Sequence, residues 1–332
     1  MRKSVVFTVL SVLAVCALVF APFAGMRRIP LAAVLDPSSG SVESLIFWEM
    51  RVPRVMVAFL AGSALAMSGM TFQALFRNPL ATPFTLGVSS GAAFGAALAV
   101  ILGGSFAAFG IPGMSIGSLL GALCAIAAVY GFARARKGFS TAAMLLAGVA
   151  MSFLFSSLIL FLQYMSDFTQ SFRIVRWLMG GVEAVGFGPA LGLLPFVTAG
   201  VIVILFLSRE LNLIAAGEDI AVSRGVNINK VRTALFLAVS LMVGGVVSVC
   251  GPIGFVGLMS PHIMRLLIGA NHRFLAPATL LFGGVFLTLC DTVARTIIAP
   301  AEIPVGVITA LLGGPFFLWL LLGESPERSV MK

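Results

Sequence analysis

Apolar runs of about 20 residues recur along the whole chain, separated by short polar breaks. Wound as a helix, a run of that length matches the hydrocarbon thickness of a bilayer. Taken in order, the runs predict ten spans: 4–24, 54–75, 84–103, 114–133, 141–163, 189–208, 233–250, 258–269, 274–294 and 304–322. None shows the polar–apolar alternation of a barrel strand. In lipid every backbone polar group must be satisfied within its own segment, so the spans are helices. The expected fold is all-α and polytopic, with residues 1–332 forming one transmembrane domain. Ala21 and Ala24 after the first run would suit signal cleavage. The run is long for a signal peptide and the count needs it, so it is expected to be retained.

The polar breaks carry the remaining pattern. In RNPLATP, Pro79 and Pro83 interrupt the chain between the second and third spans. Within 167–187, Phe172, Val175, Leu178 and Met179 recur at helical spacing, with Arg173 and Arg176 on another face. That suits a short helix lying in the membrane interface, or an extension of the fifth span.

The most charged break is 209–232, with Arg209, Glu210, Glu218, Asp219, Arg224, Lys230 and Arg232. Glu218 and Asp219 after Gly217 suit the positive end of a helix dipole. Gly225 fits a helix stop and Asn227 a helix cap. A short helix, a turn and a helix start are expected outside the membrane; a plain solvated loop is the alternative.

Composition excludes a soluble domain: 60% of residues are hydrophobic, 10% are charged, and the mean hydropathy is +1.11. Cys16, Cys124, Cys250 and Cys290 lie in apolar runs without metal-type spacing and read as buried hydrophobes. Two histidines are too few for a His-rich metal centre.

The net charge of +9 could suggest nucleic acid, but its distribution does not. Ten spans put both ends on one side. That face carries thirteen cations, among them Arg77, Arg134, Arg136, Lys137, Arg209, Arg224, Lys230, Arg232 and Arg273, against five acids. The other face carries seven arginines against seven acids, and Arg265 lies within the eighth span. All four lysines fall on the first face, which is therefore assigned to the cytoplasm, with both termini. The excess is a topology signal.

A shift of 182 residues brings Gly62 onto Gly244, Gly69 onto Gly251, Pro79 onto Pro261 and Gly87 onto Gly269. The second and the seventh are five apart in span order, an odd number, so the two cross in opposite directions. This predicts an inverted repeat of spans 2–5 and 7–10, an architecture common in transporters.

Ion-coupled carriers keep ionisable groups in mid-membrane. Here no Asp or Glu falls at the centre of a span. Asp291 and Arg295, spaced i,i+4, can pair near the outer end of the ninth span, and His262 and Arg265 sit near the ends of the eighth. The chain has no G-x-x-x-x-G-K-[ST] loop for ATP. If ATP drives it, the ATPase is a partner, and 209–232 is the largest surface for it. An ion-coupled secondary transporter and a non-transporting scaffold are the rival readings.

Several long, collinear stretches resemble the iron-siderophore, haem and cobalamin permeases (FecCD-type) of type II ABC importers. They are RVPRVMVAFLAGSALAMSGMTFQALFRNPLATPFTLGVSSGA, MLLAGVA, WLMGG, GEDIAVSRGV, FVGLMSPHIMRLLIG, CDTVAR and EIPVGVITALLGGPFFLWLL. The resemblance implies a permease that is not itself an enzyme and holds no cofactor, with ATP and Mg in the partner. It implies ten spans per subunit and a homodimer around a central pathway in the inner membrane. Two ATPase subunits would sit inside, and a periplasmic or lipid-anchored substrate-binding protein outside. Ferric siderophore is the expected cargo, with haem or cobalamin as alternatives.

The resemblance assigns ATPase coupling to Gly217, Glu218, Asp219, Ala221, Arg224 and Gly225. It places binding-protein docking at Arg51, Arg54 and Arg295. A cytoplasmic gate falls on Ser140, Thr141 and Ala142, where Ala142 departs from the family's Thr-Ser pair.

Overall fold

Helices account for almost all of the regular structure, as bilayer chemistry requires. The computed structural model describes residues 3–36, 40–103, 107–108, 111–135 and 141–323. The first helix, α1 (Lys3–Phe20), is followed by short α2 (Leu31–Leu35) and α3 (Val42–Leu45). A π-helical turn, Ile46–Arg51, joins α3 to α4 (Val52–Leu75). Next come α5 (Val88–Ile101), α6 (Gly113–Ala135), α7 (Thr141–Met165) and α8 (Phe168–Leu178). Then follow α9 (Gly188–Phe206), α10 (Ser208–Ala216), α11 (Glu218–Ser223) and α12 (Ile228–Cys250). Last are α13 (Val256–Ile268), α14 (His272–Ala294) and α15 (Val305–Gly323). The strands among the described residues are one two-residue antiparallel pair, Ala107–Ala108 with Ile111–Pro112.

Seven of the described helical stretches are long and apolar enough to cross a membrane, including Val42–Leu75 as one unbroken helix of 34 residues. Three shorter apolar helices, Val88–Ile101, Val256–Ile268 and Val305–Leu320, occupy the third, eighth and tenth expected positions. The polar stretch before the second span partly belongs to the helix. Ser41 caps its start by accepting the Ser44 N–H at 3.2 Å. Helix α8 is the expected amphipathic element. Asp167 and Gln170 form a capping box at its start, Ile174 is buried, and Phe168 and Phe172 are exposed.

Helix α4 lies at the centre of the molecule, buried on all sides from Ala61 to Leu75. Lipid cannot drive helices together by the hydrophobic effect, so close backbone approach must do so. Gly62 faces Gly283 of α14 so tightly that a Cβ on either would meet backbone or side-chain atoms of the other helix. Helices α5 and α6 meet the same way at Gly95 and Gly117. Large apolar side chains on the rim, such as Val15, Phe153 and Leu318, point outward where lipid would lie.

The packing follows the inverted repeat. Helix α4 packs on α14 and α13, and its counterpart α12 packs on α6 and α5. Likewise α5 packs on α6 and α7, as α13 packs on α14 and α15. Gly62 meets α14, while its repeat mate Gly244 would set a Cβ 3.2 Å from Ala122 of α6. Beyond these helices the shift of 182 fails. Pro79 lies in a loop but Pro261 lies inside α13; Gly87 starts α5 but Gly269 ends α13. The connection from α4 to α5 is longer than that from α12 to α13, so one offset cannot serve both.

Candidate functional site

Two polar constellations stand at opposite ends of the bundle. The first is built on the charged segment after the sixth span. That segment is two helices and not one. Helix α10 seats Leu211 and Ile214 in the core, and Gly217 then breaks the chain at φ 150°, ψ 145°, a conformation reserved for glycine. Glu218 and Asp219 open α11 as expected for its dipole. Gly225 follows the helix at φ 80°, and the Val226 N–H closes the turn on the Ala221 carbonyl at 3.0 Å. Asn227 caps α12 by accepting the Lys230 N–H at 3.1 Å.

Of the residues expected to act in coupling, Ala221 is buried and seats α11. Glu218, Asp219, Arg224 and Gly225 are exposed. Glu218 accepts from buried Arg232 at 2.7 Å, tying α11 to α12. Two exposed apolar side chains, Ile220 and Val222, stand among these charges.

Asn212 and Gln73, which the sequence did not single out, complete this end. The Asn212 carboxamide of α10 accepts the backbone N–H of His272 at 2.9 Å and meets His272 Nδ1 at 2.7 Å. Its amide donates to Asn271 at 3.1 Å. Nearby, Arg265 of α13 donates to Gln73 of α4 at 3.1 Å. A single Asn or Gln at a helix end carries no signature in one sequence.

The second constellation gathers Arg51, Arg54 and Arg295 at the other end. Arg54 clasps the buried Asp291 carboxylate through Nε at 3.1 Å and Nη2 at 2.9 Å, and reaches Glu302 through Nη1 at 2.7 Å. The ion pair of Asp291 with Arg295 expected from the i,i+4 spacing is present at 3.7 Å, longer than the Arg54 contacts. Arg295 also donates to the carbonyls of Ala21 and Ala24. Burial pulls its guanidinium below the ordinary value, while Asp291 pulls it back up. Arg51 donates to the carbonyls of Pro22, Phe23 and Arg27 at 3.1, 3.2 and 2.7 Å. Arg51 and Arg295 are thus buried fasteners of the 21–27 elbow, and Arg54 is the one of the three left partly open.

Of the gate positions, Ser140 lies outside the described residues, and Thr141 and Ala142 are described only as the first residues of α7.

A sequence model of the FecCD transport family matches residues 11–323, nearly the whole helical bundle. The chain belongs to the FecCD transport family. It is a membrane-embedded permease of the ABC transporter class, not an enzyme. The permease is 39% identical to the hemin transport system permease protein of Yersinia pestis, over 86% of this chain and 85% of that one. It is 41% identical to the vitamin B12 import system permease protein of Salmonella typhi, over 84% of each. A solved inward-facing conformation of a metal-chelate type ABC transporter superposes with a TM-score of 0.84 at 33% identity. That match covers 97% of the permease and all of the solved chain.

Proposed function

We propose that the permease is the membrane subunit of an ATP-driven importer for a metal chelate. The observation that carries this reading is the α10–α11 element. It sets Ile220 and Val222 in the open among charges, on a hinge of glycine. Exposed apolar side chains between charged ones suit a protein partner rather than solvent. In this reading the partner is an ATPase bearing the ATP and Mg that the chain itself cannot hold. Two ATPase subunits serve a permease homodimer, and both termini of each permease lie in the cytoplasm.

At the opposite face a substrate-binding protein docks around Arg54, with Arg51 and Arg295 shaping the surface beneath. Arg54→Glu then weakens docking; unchanged capture of the binding protein at low salt would sink that assignment. The gate is assigned to Ser140, Thr141 and Ala142.

Ferric siderophore, haem and cobalamin are the candidate cargoes. The named relatives carry hemin and vitamin B12, which supports a metal-bearing tetrapyrrole as strongly as a siderophore. The test is uptake into vesicles that hold the permease with its ATPase and binding protein. Haem, cyanocobalamin and a ferric hydroxamate are offered in turn. ATP-dependent uptake of one of them, insensitive to an uncoupler, is expected. Uptake abolished by the uncoupler with ample ATP would replace this reading with ion-coupled transport.

A further inference from the structure

Resting on the import reading, we infer that Asn212 is the residue through which movement of the coupling element reaches the core. Three polar contacts leave its one carboxamide, and all end at the start of α14, on its cap Asn271 and its first residue His272. The oxygen accepts the His272 backbone N–H, one of the orphan donors at a helix start. It also accepts from the His272 ring, so Nδ1 carries the ring proton. The nitrogen donates to Asn271, whose oxygen in turn caps the Arg273 N–H at 3.1 Å. Helix α14 is therefore capped jointly by its own Asn271 and by a side chain from α10.

His272 is 4% exposed, so little water can replace these bonds. Leu211 and Ile214 flank Asn212 with apolar contacts, which tolerate sliding. The directional bonds of Asn212 do not. A displacement of α10 must carry the start of α14 with it or break the cap. The Glu218–Arg232 pair is a weaker tether: Glu218 is 47% exposed, so solvent and salt compete for it.

Helix α14 is placed to relay the displacement. It is fused to α4 at the Gly62–Gly283 approach and again at Asp291, where Arg54 holds its far end. One stiff helix thus joins the coupling element to the opposite face, and Asn212 is its positioning residue at the inner end.

The experiment compares Asn212→Ala, Asn212→Asp and His272→Ala in vesicles holding permease, ATPase and binding protein. Haem, cyanocobalamin and a ferric hydroxamate are offered as cargo. Capture of the ATPase and basal ATP hydrolysis should persist in all three. For Asn212→Ala, cargo moved per ATP should fall about tenfold, within the usual range of coupling between sites. Asn212→Asp keeps both acceptor contacts to His272 and should recover most of it. His272→Ala keeps the backbone bond and should fall between. Wild-type coupling in Asn212→Ala, or equal loss in Asn212→Asp, overturns the inference while leaving the import reading intact. So does a fall in melting temperature with hydrolysis and uptake reduced in proportion. Absence of ATP-dependent uptake by the wild type with every cargo would instead overturn the import reading, and this inference with it.

Discussion

Arg54 and Asp291 stand 237 residues apart in the chain and meet through a forked guanidinium–carboxylate contact at 2.9–3.1 Å. The pair joins the start of α4 to the end of α14, two helices that run in opposite directions. Asp291 is almost fully enclosed, so its charge depends on this partner.

Removing Asp291 takes the buried carboxylate from both Arg54, which keeps Glu302, and Arg295. Asp291→Asn is expected to lower stability by about 3 kcal/mol, the scale of breaking a buried pair. Arg54→Met with Asp291→Leu should cost less than Asp291→Asn alone, because both halves of the forked contact are removed together. Thermal midpoints of the purified permease in detergent check the order. Equal or greater loss in the double variant would show that the pair is not the source.

The α4–α14 crossing tolerates no side chain at Gly62, where the added atom would meet backbone of the facing helix rather than a flexible tip. Gly62→Val should cost at least about 1–3 kcal/mol, the scale of overpacking, and reduce the monodisperse fraction on size exclusion. Gly131→Ala on α6 is the control, since nothing lies within 4 Å of the added atom there. Normal behaviour of Gly62→Val would mean that the helices can part without loss.

Ile220 and Val222 are 48% and 62% exposed, so the fold does not require their side chains. Ile220→Asp with Val222→Asp should leave the melting temperature within about 0.5 kcal/mol equivalent of wild type, as for ordinary surface changes. Capture of the ATPase subunit should fall at least about tenfold, the scale of losing a buried anchor at an interface. Full capture would remove these residues from the proposed surface.

Sidedness has its own test. Glu183 is exposed at one end of the bundle and Arg224 at the other. In intact cells, a membrane-impermeant maleimide should label Glu183→Cys and spare Arg224→Cys until the membrane is opened. The reverse pattern would invert the orientation drawn from the distribution of lysines and arginines.

Much of this architecture was legible before any coordinates. Helix ends at Glu218, Gly225 and Asn227 were readable because capping chemistry is local. The i,i+4 spacing placed Arg295 in ion-pair reach of Asp291, as found at 3.7 Å, but it reports only local neighbours and gave no sign of Arg54, which arrives from another helix and makes the closer contact. The full register of the repeat was misread for a related reason. Matching glycines and prolines carry no information about how long the intervening loops are.

By itself the sequence determined the number and kind of spans, the charge bias between the two faces, and the polar element between the sixth and seventh spans. Each depends on hydropathy, charge or capping within a few turns of helix. Tertiary structure alone decided which groups are partners across the bundle: Arg54 with Asp291, Asn212 with His272, Gly62 with Gly283. It also turned Arg51 and Arg295 inward, onto carbonyls of the 21–27 elbow. These are meetings of residues distant in the chain. Whether an arginine faces a partner or the interior is set by the helices packed around it, not by its neighbours in sequence.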